Sequence, residues 1–325
     1  MICLGIESTA HTFGIAVMKD KKELSSASDT FTTTEGGMNP PVVARHHIEL
    51  KDKLLQKALD DAKISLGDID LISFSKGPGL APCLHVGKNF AIELSKKLKI
   101  PLIGVNHICA HLEIGRMITG TKDPVFVFVS GANTQIIAHE GGKYRVFGET
   151  LSIGLGNALD KFGRIVGLGF PAGPNIEELA RKGKLIELPY VVKGMDVDFA
   201  GIITKAELLY KKGAKIEDLC FSLQETCFAM LAEVTERAVA HCDKKEVILI
   251  GGVAANKRFC EMLDTMCKDR NCKFHPVPLK YCGDNPVMIA WQGILEYNFN
   301  KREEDLETVE INPRWRIDEM EAEWF

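Results

Sequence analysis

Two stretches of this chain carry the same succession of local patterns, and that repeat constrains the fold more than any other feature. A short apolar run at residues 2–6 turns through Glu7-Ser8-Thr9-Ala10-His11 and returns at residues 13–17. A segment of helical period follows at 42–63, with Leu50, Leu54, Leu55 and Leu59 on one face. A buried strand at 69–74 then stops at Gly77-Pro78-Gly79. The pattern restarts at 125–129, turns through Ser130-Gly131-Ala132-Asn133-Thr134, and returns at 135–138. A second buried strand, 247–250, stops at Gly251-Gly252. The order of elements, more than residue identity, carries the repeat. Hairpin, helix, strand and glycine turn, used twice, predict a duplicated α/β fold of two lobes with a cleft between them. The lobes are expected at 1–120 and 121–325, with a glycine-rich insertion at about 151–209 in the second.

Composition narrows the class. Hydrophobic residues make up 46% and charged residues 26%, as in a globular chain. The formal net charge of -4 gives no global attraction to nucleic acid, so any such contact needs a local basic patch or a partner. The ten cysteines form no C-x-x-C pair and read as reduced thiols rather than a disulfide framework. The first residues, MICLGIES, read as a strand and not as a signal peptide, and no run is apolar for long enough to span a bilayer. A cytoplasmic address follows, with no membrane association.

Four motifs carry chemistry. In Asn106-His107-Ile108-Cys109-Ala110-His111, two histidines at i and i+4 share a helix face and suit one metal ion. Asn106 is placed to cap that helix. Two surface histidines would show the same spacing. The H-E-x-x-H protease pattern is absent, because Ile108 follows His107. Asp284, in a glycine turn before a helix, is the best third ligand, although taken alone it reads rather as an ordinary helix cap. The glycine turns at Gly77-Pro78-Gly79, Ser130-Gly131 and Gly251-Gly252 let backbone amides approach a phosphate, or are plain turns. Asp160, in GNALDKFGR, and Glu177 are suited to ribose hydroxyls, or to the helix dipole. Asn256, after Gly251-Gly252-Val253-Ala254-Ala255, is placed to bond a base edge, or belongs to small-residue packing. His46 and His47 are adjacent and read as surface residues, and the row Lys51, Lys53, Lys57 and Lys63 as a solvated face.

Taken in order, GIEST at 5–9, FSKGPGLAPCL at 74–84, NHICAH at 106–111, FVSGANTQ at 128–135, GNALDKFGR at 156–164, KGMDVDFAG at 193–201, GGVAAN at 251–256, CGDN at 282–285 and PRWR at 313–316 resemble the TsaD/Kae/Qri family. The archaeal form, the catalytic subunit of the KEOPS complex, is the nearest in pattern. The resemblance implies an actin/hexokinase-type (ASKHA) fold. It also implies transfer of threonylcarbamoyl from threonylcarbamoyl-AMP to N6 of the adenosine 3′ of the anticodon in tRNA. It implies iron or zinc on His107, His111 and Asp284. It implies ATP or the adenylate on Asp160, Gly173, Glu177 and Asn256, with Ser130, Gly131 and Asn133 near the phosphates. Implied partners are tRNA, a small protein kinase, and a small dimerising subunit at the N-terminal lobe.

The chain departs from the family pattern in places. Phe128 stands where an additional ligating Tyr is usual, so the metal site has one protein ligand fewer and is expected to be open. Ala132 and Ala172 replace glycines, each adding a methyl where backbone usually approaches nucleotide. No residue stands out as a general base; Glu7 and His11, in the first hairpin turn, are the candidates. Other readings are an ASKHA small-molecule kinase, an ATP-binding scaffold of the same complex, and a metalloprotease. A kinase would need a Mg-holding Asp where Glu7 stands, and a protease a Glu beside His107.

Overall fold

The computed structural model describes residues 1–33 and 39–325. The first half of the chain runs β1 (Ile2–Glu7), β2 (Thr12–Lys19), β3 (Lys22–Thr30), α1 (Pro40–Ala62), β4 (Leu71–Gly77), α2 (Ala81–Leu98), β5 (Leu102–Asn106) and α3 (His107–Thr119). The second half runs β6 (Val125–Val129), β7 (Thr134–Glu140), β8 (Lys143–Glu149), α4 (Leu155–Ile165), α5 (Gly173–Ala180), β9 (Val192–Lys193), β10 (Asp196–Val197), α6 (Ala200–Lys211), α7 (Ile216–His241), β11 (Glu246–Ile250), α8 (Lys257–Asp269), β12 (Lys273–Pro276) and α9 (Leu279–Cys282). Helix α10 (Pro286–Asn300) ends the regular structure.

Each half builds a five-stranded sheet, ordered β3-β2-β1-β4-β5 and β12-β11-β6-β7-β8. Read from its meander edge, the second is β8-β7-β6-β11-β12, the same plan as the first. In both, the first three strands pair antiparallel and the next two are added parallel. The expected duplicated α/β fold is thus the one observed. Segment 151–215 falls between β8 and α7, where the first half has only residues 31–39 between β3 and α1. That segment contains α4, α5, the β9–β10 ribbon and α6.

The chain divides into two compact units, Met1–Ile118 with Asp284–Phe325, and Thr119–Gly283. This differs from the division expected at 120/121, which left everything after 121 in one lobe. The reason is α10, which packs on β1, β2, β4 and β5 of the first sheet. The tail beyond it follows the same unit. Glu304 N donates to Leu102 O at 2.8 Å, Asn312 N to Lys76 O at 2.8 Å, and Gly79 N to Pro313 O at 3.2 Å.

Strand alternation decides which face holds chemistry. Along β1, Leu4 and Ile6 point into the apolar core with Phe13, Ile15, Phe74, Phe90 and Leu94. Cys3, Gly5 and Glu7 therefore point to the opposite face. There Cys3 Sγ meets Ser73 Oγ at 3.5 Å, and α10 lies across Gly5. Glu7 is the last residue of the strand on that face and is fully buried.

Two local expectations need correction. His47 is buried, not on the surface; its Nε2 donates to Ala10 O at 2.9 Å, which pins the β1–β2 turn to α1. Burial holds it neutral, with its pKa lowered to about 4. Ala172 is fully buried: a Cβ on Gly163 would meet the Ala172 methyl at 2.1 Å. The extra methyl thus fills space between α4 and the start of α5 rather than space for a ligand. All ten cysteines are free thiols. None of the described helices is long and apolar enough to cross a membrane.

Candidate metal centre

Helix α3 begins directly where β5 ends, and Asn106 makes the junction. Its Oδ1 accepts from Cys109 N at 3.0 Å, the cap expected of it. The helix therefore starts at His107, and one turn later His111 stands on the same face. The two rings lie edge to face with centroids 4.7 Å apart. Asp284 reaches them from the residue before the α10 cap. Asn285 fixes that approach, its Oδ1 accepting from Met288 N at 3.1 Å. Asp284 Oδ1 lies 3.4 Å from His107 Nε2 and 3.3 Å from His111 Nε2. Ligand atoms of all three residues fall within 4.8 Å of one another, so the trio could hold one metal ion. Two imidazoles and a carboxylate form a donor set that suits zinc or ferrous iron.

The shell behind the ligands fits the same use. Glu7 Oε2 accepts from His107 Nδ1 at 3.0 Å. Its other oxygen, Oε1, accepts from Thr9 N at 2.7 Å and from the Thr9 hydroxyl at 2.5 Å. A carboxylate on the far nitrogen of a ligating histidine fixes tautomer and ring angle. It leaves His107 Nε2 as the nitrogen turned to Asp284. Burial alone would lower the His107 pKa, but the Glu7 and Asp284 carboxylates overturn that and carry it up to about 10. Burial also lowers His111, and there it prevails over Asp284. Asp284 is half-buried, and desolvation alone would raise its carboxyl, yet hydrogen bonds from both histidines hold it well below the usual carboxylate range.

These contacts change the reading of the two base candidates. Glu7 is fully buried, with Oε1 accepting two bonds from Thr9 and Oε2 one from His107, so its carboxylate is engaged in anchoring that ring. His11 differs: its Nδ1 is buried and has no hydrogen-bond partner among the described residues. Thr9 was given no part in the site by the sequence. The signal for Thr9 was present, a hydroxyl two residues after a strand-end carboxylate, the usual spacing for a side chain bonding its own turn.

The expected nucleotide residues all lie in the second unit, and a chain of hydrogen bonds links them. Asn133 N donates to Ser130 Oγ at 3.1 Å and closes the Ser130–Asn133 turn. The start of α4 packs on that turn, with Gly156 N on Ser130 O at 3.2 Å and Asn157 N on Gly131 O at 2.9 Å. From α4, Asp160 Oδ1 accepts from Ala172 N at 2.7 Å, just before Gly173 opens α5. Burial raises the Asp160 carboxyl above its ordinary value. From α5, Glu177 Oε1 accepts from Lys257 N at 3.1 Å at the head of α8. Asn256 caps the same helix, accepting from Phe259 N at 3.2 Å, while its Nδ2 donates to Gln224 Oε1 at 2.8 Å. Beside Gly173 a Cβ would meet nothing within 4 Å, so space is open there. Phe128 is fully buried in β6, and its phenyl ring offers no ligand atom.

Known proteins of this architecture share the fold. Thermococcus kodakarensis HypF superposes with a TM-score of 0.60 at 16% identity, over 91% of this chain and 47% of its own. The activator of 2-hydroxyisocaproyl-CoA dehydratase from Clostridium difficile, with bound ADPNP, gives 0.55 at 12%, over 96% and 100%. Sequence likeness goes further. The tRNA N6-adenosine threonylcarbamoyltransferase of Thermococcus sibiricus is 53% identical over 326 residues, covering both chains whole. The probable bifunctional tRNA threonylcarbamoyladenosine biosynthesis protein of Methanobrevibacter smithii is 50% identical, over all of this chain and 60% of its own. With residues 22–291 also matching the family model for TsaD, tRNA N6-adenosine threonylcarbamoyltransferase, this chain belongs to that family.

Proposed function

We propose that this protein transfers the threonylcarbamoyl group of threonylcarbamoyl-AMP to N6 of the adenosine 3′ of the anticodon in tRNA. The observation that carries the reading is the His107–His111–Asp284 trio, with Glu7 fixed behind His107, in a chain of this family. A divalent ion held there, iron or zinc, would supply a Lewis acid for charge that develops as AMP leaves. His107 Nε2, His111 and Asp284 would hold it, with Glu7 keeping the His107 proton on Nδ1. In the second unit, the Ser130–Asn133 turn offers backbone donors to the adenylate phosphate. The oxygens of Asp160 and Glu177 not used in capping serve the ribose. Asn256, held by Gln224, is presented to the base. The C–N6 bond forms as the carbamoyl C–O bond to phosphate breaks, and the amine proton departs to a base. His11 is the remaining candidate for that base. Partners of this chain in the reaction are tRNA and, within a KEOPS complex, a small protein kinase and a small dimerising subunit on the N-terminal unit.

Incubation with tRNA, the adenylate-forming enzyme, threonine, bicarbonate, ATP and the partner subunits tests the reading. Nucleoside mass spectrometry should then find threonylcarbamoyladenosine only when this chain is present. A product yield independent of the chain would leave it a scaffold.

Two further outcomes follow from the trio. Below about pH 10 the metal-free site carries a proton on His107 Nε2, whereas His111 is neutral and Asp284 ionised. Binding a metal through that nitrogen must expel the proton. About one proton per metal should be released near neutral pH, and affinity should fall about tenfold for each pH unit of acidification. Calorimetry in buffers of different ionisation enthalpy measures this; zero release would mean that His107 is not a ligand. Glu7→Gln should weaken metal binding by about 10–100-fold, because the His107 ring loses its anchor while every ligand remains. Unchanged affinity on competition with a chelating dye would remove Glu7 from the site.

A further inference from the structure

The segment that follows α10 closes over one flank of the first unit, and a cavity of about 590 Å³ lies beneath it. Phe299, Trp315 and Trp324 line it. Six glutamates line it as well, with Lys76 and Arg302 the only cations among its residues. Lys76 is already matched by Glu304 at 2.6 Å. None of these residues belongs to the metal centre or to the nucleotide set. The volume falls in the range of small-ligand sites. The excess of carboxylates excludes nucleotides and other anions.

We propose that this cavity binds an organic cation carrying two or more ammonium or guanidinium groups on an alkyl chain, its stem against the tryptophan rings and its charged ends on the glutamates. Aromatic faces attract organic cations and also accept their methylene stems, whereas a hydrated metal ion gains nothing from them. The inner wall includes Glu296, whose Oε1 accepts from Gln292 Nε2 behind it at 2.8 Å. Burial, reinforced by Glu304 and Glu113, pushes its carboxyl up to about 7. A cation in the cavity relieves that carboxylate. The walls are firmly held, so the site is built before a ligand arrives. Trp324 Nε1 donates to Glu113 Oε1 at 2.9 Å, and Asn106 Nδ2 to Trp315 O at 3.5 Å.

Spermidine is the probe. Titrated into the full chain, it should bind with one-to-one stoichiometry and shift the indole N–H signals of Trp315 and Trp324 ahead of the remaining tryptophan. Trp315→Ala and Glu296→Gln should each weaken binding about tenfold. Glu323→Gln, at an exposed rim position, should weaken it less and guards against loss of fold. Magnesium at matched ionic strength should not displace spermidine. Absence of binding at about 1 mM spermidine overturns the proposal. So does affinity unmoved by all three variants, equal displacement by magnesium, or binding of a lysine-rich peptide without binding of spermidine.

Discussion

Replacing His107 and His111 together with alanine should strip the protein of metal and bring threonylcarbamoyladenosine formation to background. What remains is Asp284, a single carboxylate, and one such oxygen does not hold a divalent ion against water. The double variant also leaves Glu7 buried without the His107 nitrogen that now meets it at 3.0 Å. An orphaned buried acceptor costs about 1–3 kcal/mol, so part of any loss could be loss of fold. His111→Ala separates the two effects, because His111 does not touch Glu7. That single variant leaves a cavity that lowers the melting temperature, but it orphans no Glu7 oxygen and should stay folded while losing most of its metal. Metal content by mass spectrometry, far-UV circular dichroism and product formation are read on the same samples. Full product formation from protein shown to be free of metal would sink the role given to the trio.

The parts of this site that were legible in the sequence are those that leave a period or a repeat. His107 and His111 stand four apart directly after an apolar run, and helix geometry alone puts them on one face. The duplication was readable because β1, β4, β6 and β11 are buried along most of their length and so are rich in apolar residues. The edge strand β3, KELSSASDT, is half exposed, and its polar residues carry no such mark. Asp284 was found by its turn, but its membership of the first unit was not. It depends on α10 crossing back to the first sheet, a contact between residues almost 290 positions apart in sequence. The contacts of Glu7 were illegible for a related reason. A carboxylate in a hairpin turn is equally suited to take a proton or to anchor a histidine. Only the bonds from Thr9 and His107 choose between them.

That long-range packing makes the second large prediction, because it rests on a residue that touches no ligand. Gly5 faces α10, and a Cβ there would lie 2.4 Å from Ala290 N and 2.6 Å from Pro286 O. Both are backbone atoms of a helix, so no rotamer change relieves the overlap. Either β1 or the start of α10 must move. Gly5→Ala should therefore cost about 1–3 kcal/mol and lower the melting temperature by roughly 2–8 °C. The start of α10 is also where Asn285 caps the helix and Asp284 is aimed. The same variant should thus weaken metal binding although all three ligands and Glu7 are intact. Gly173→Ala is the matched control. It adds the same methyl where nothing lies within 4 Å, so stability should hold. If Gly173 borders the nucleotide, adenylate affinity alone should drop. Thermal melts and metal titrations of the pair decide the matter. A Gly5→Ala protein that melts and binds metal like the parent would mean that α10 does not fix Asp284.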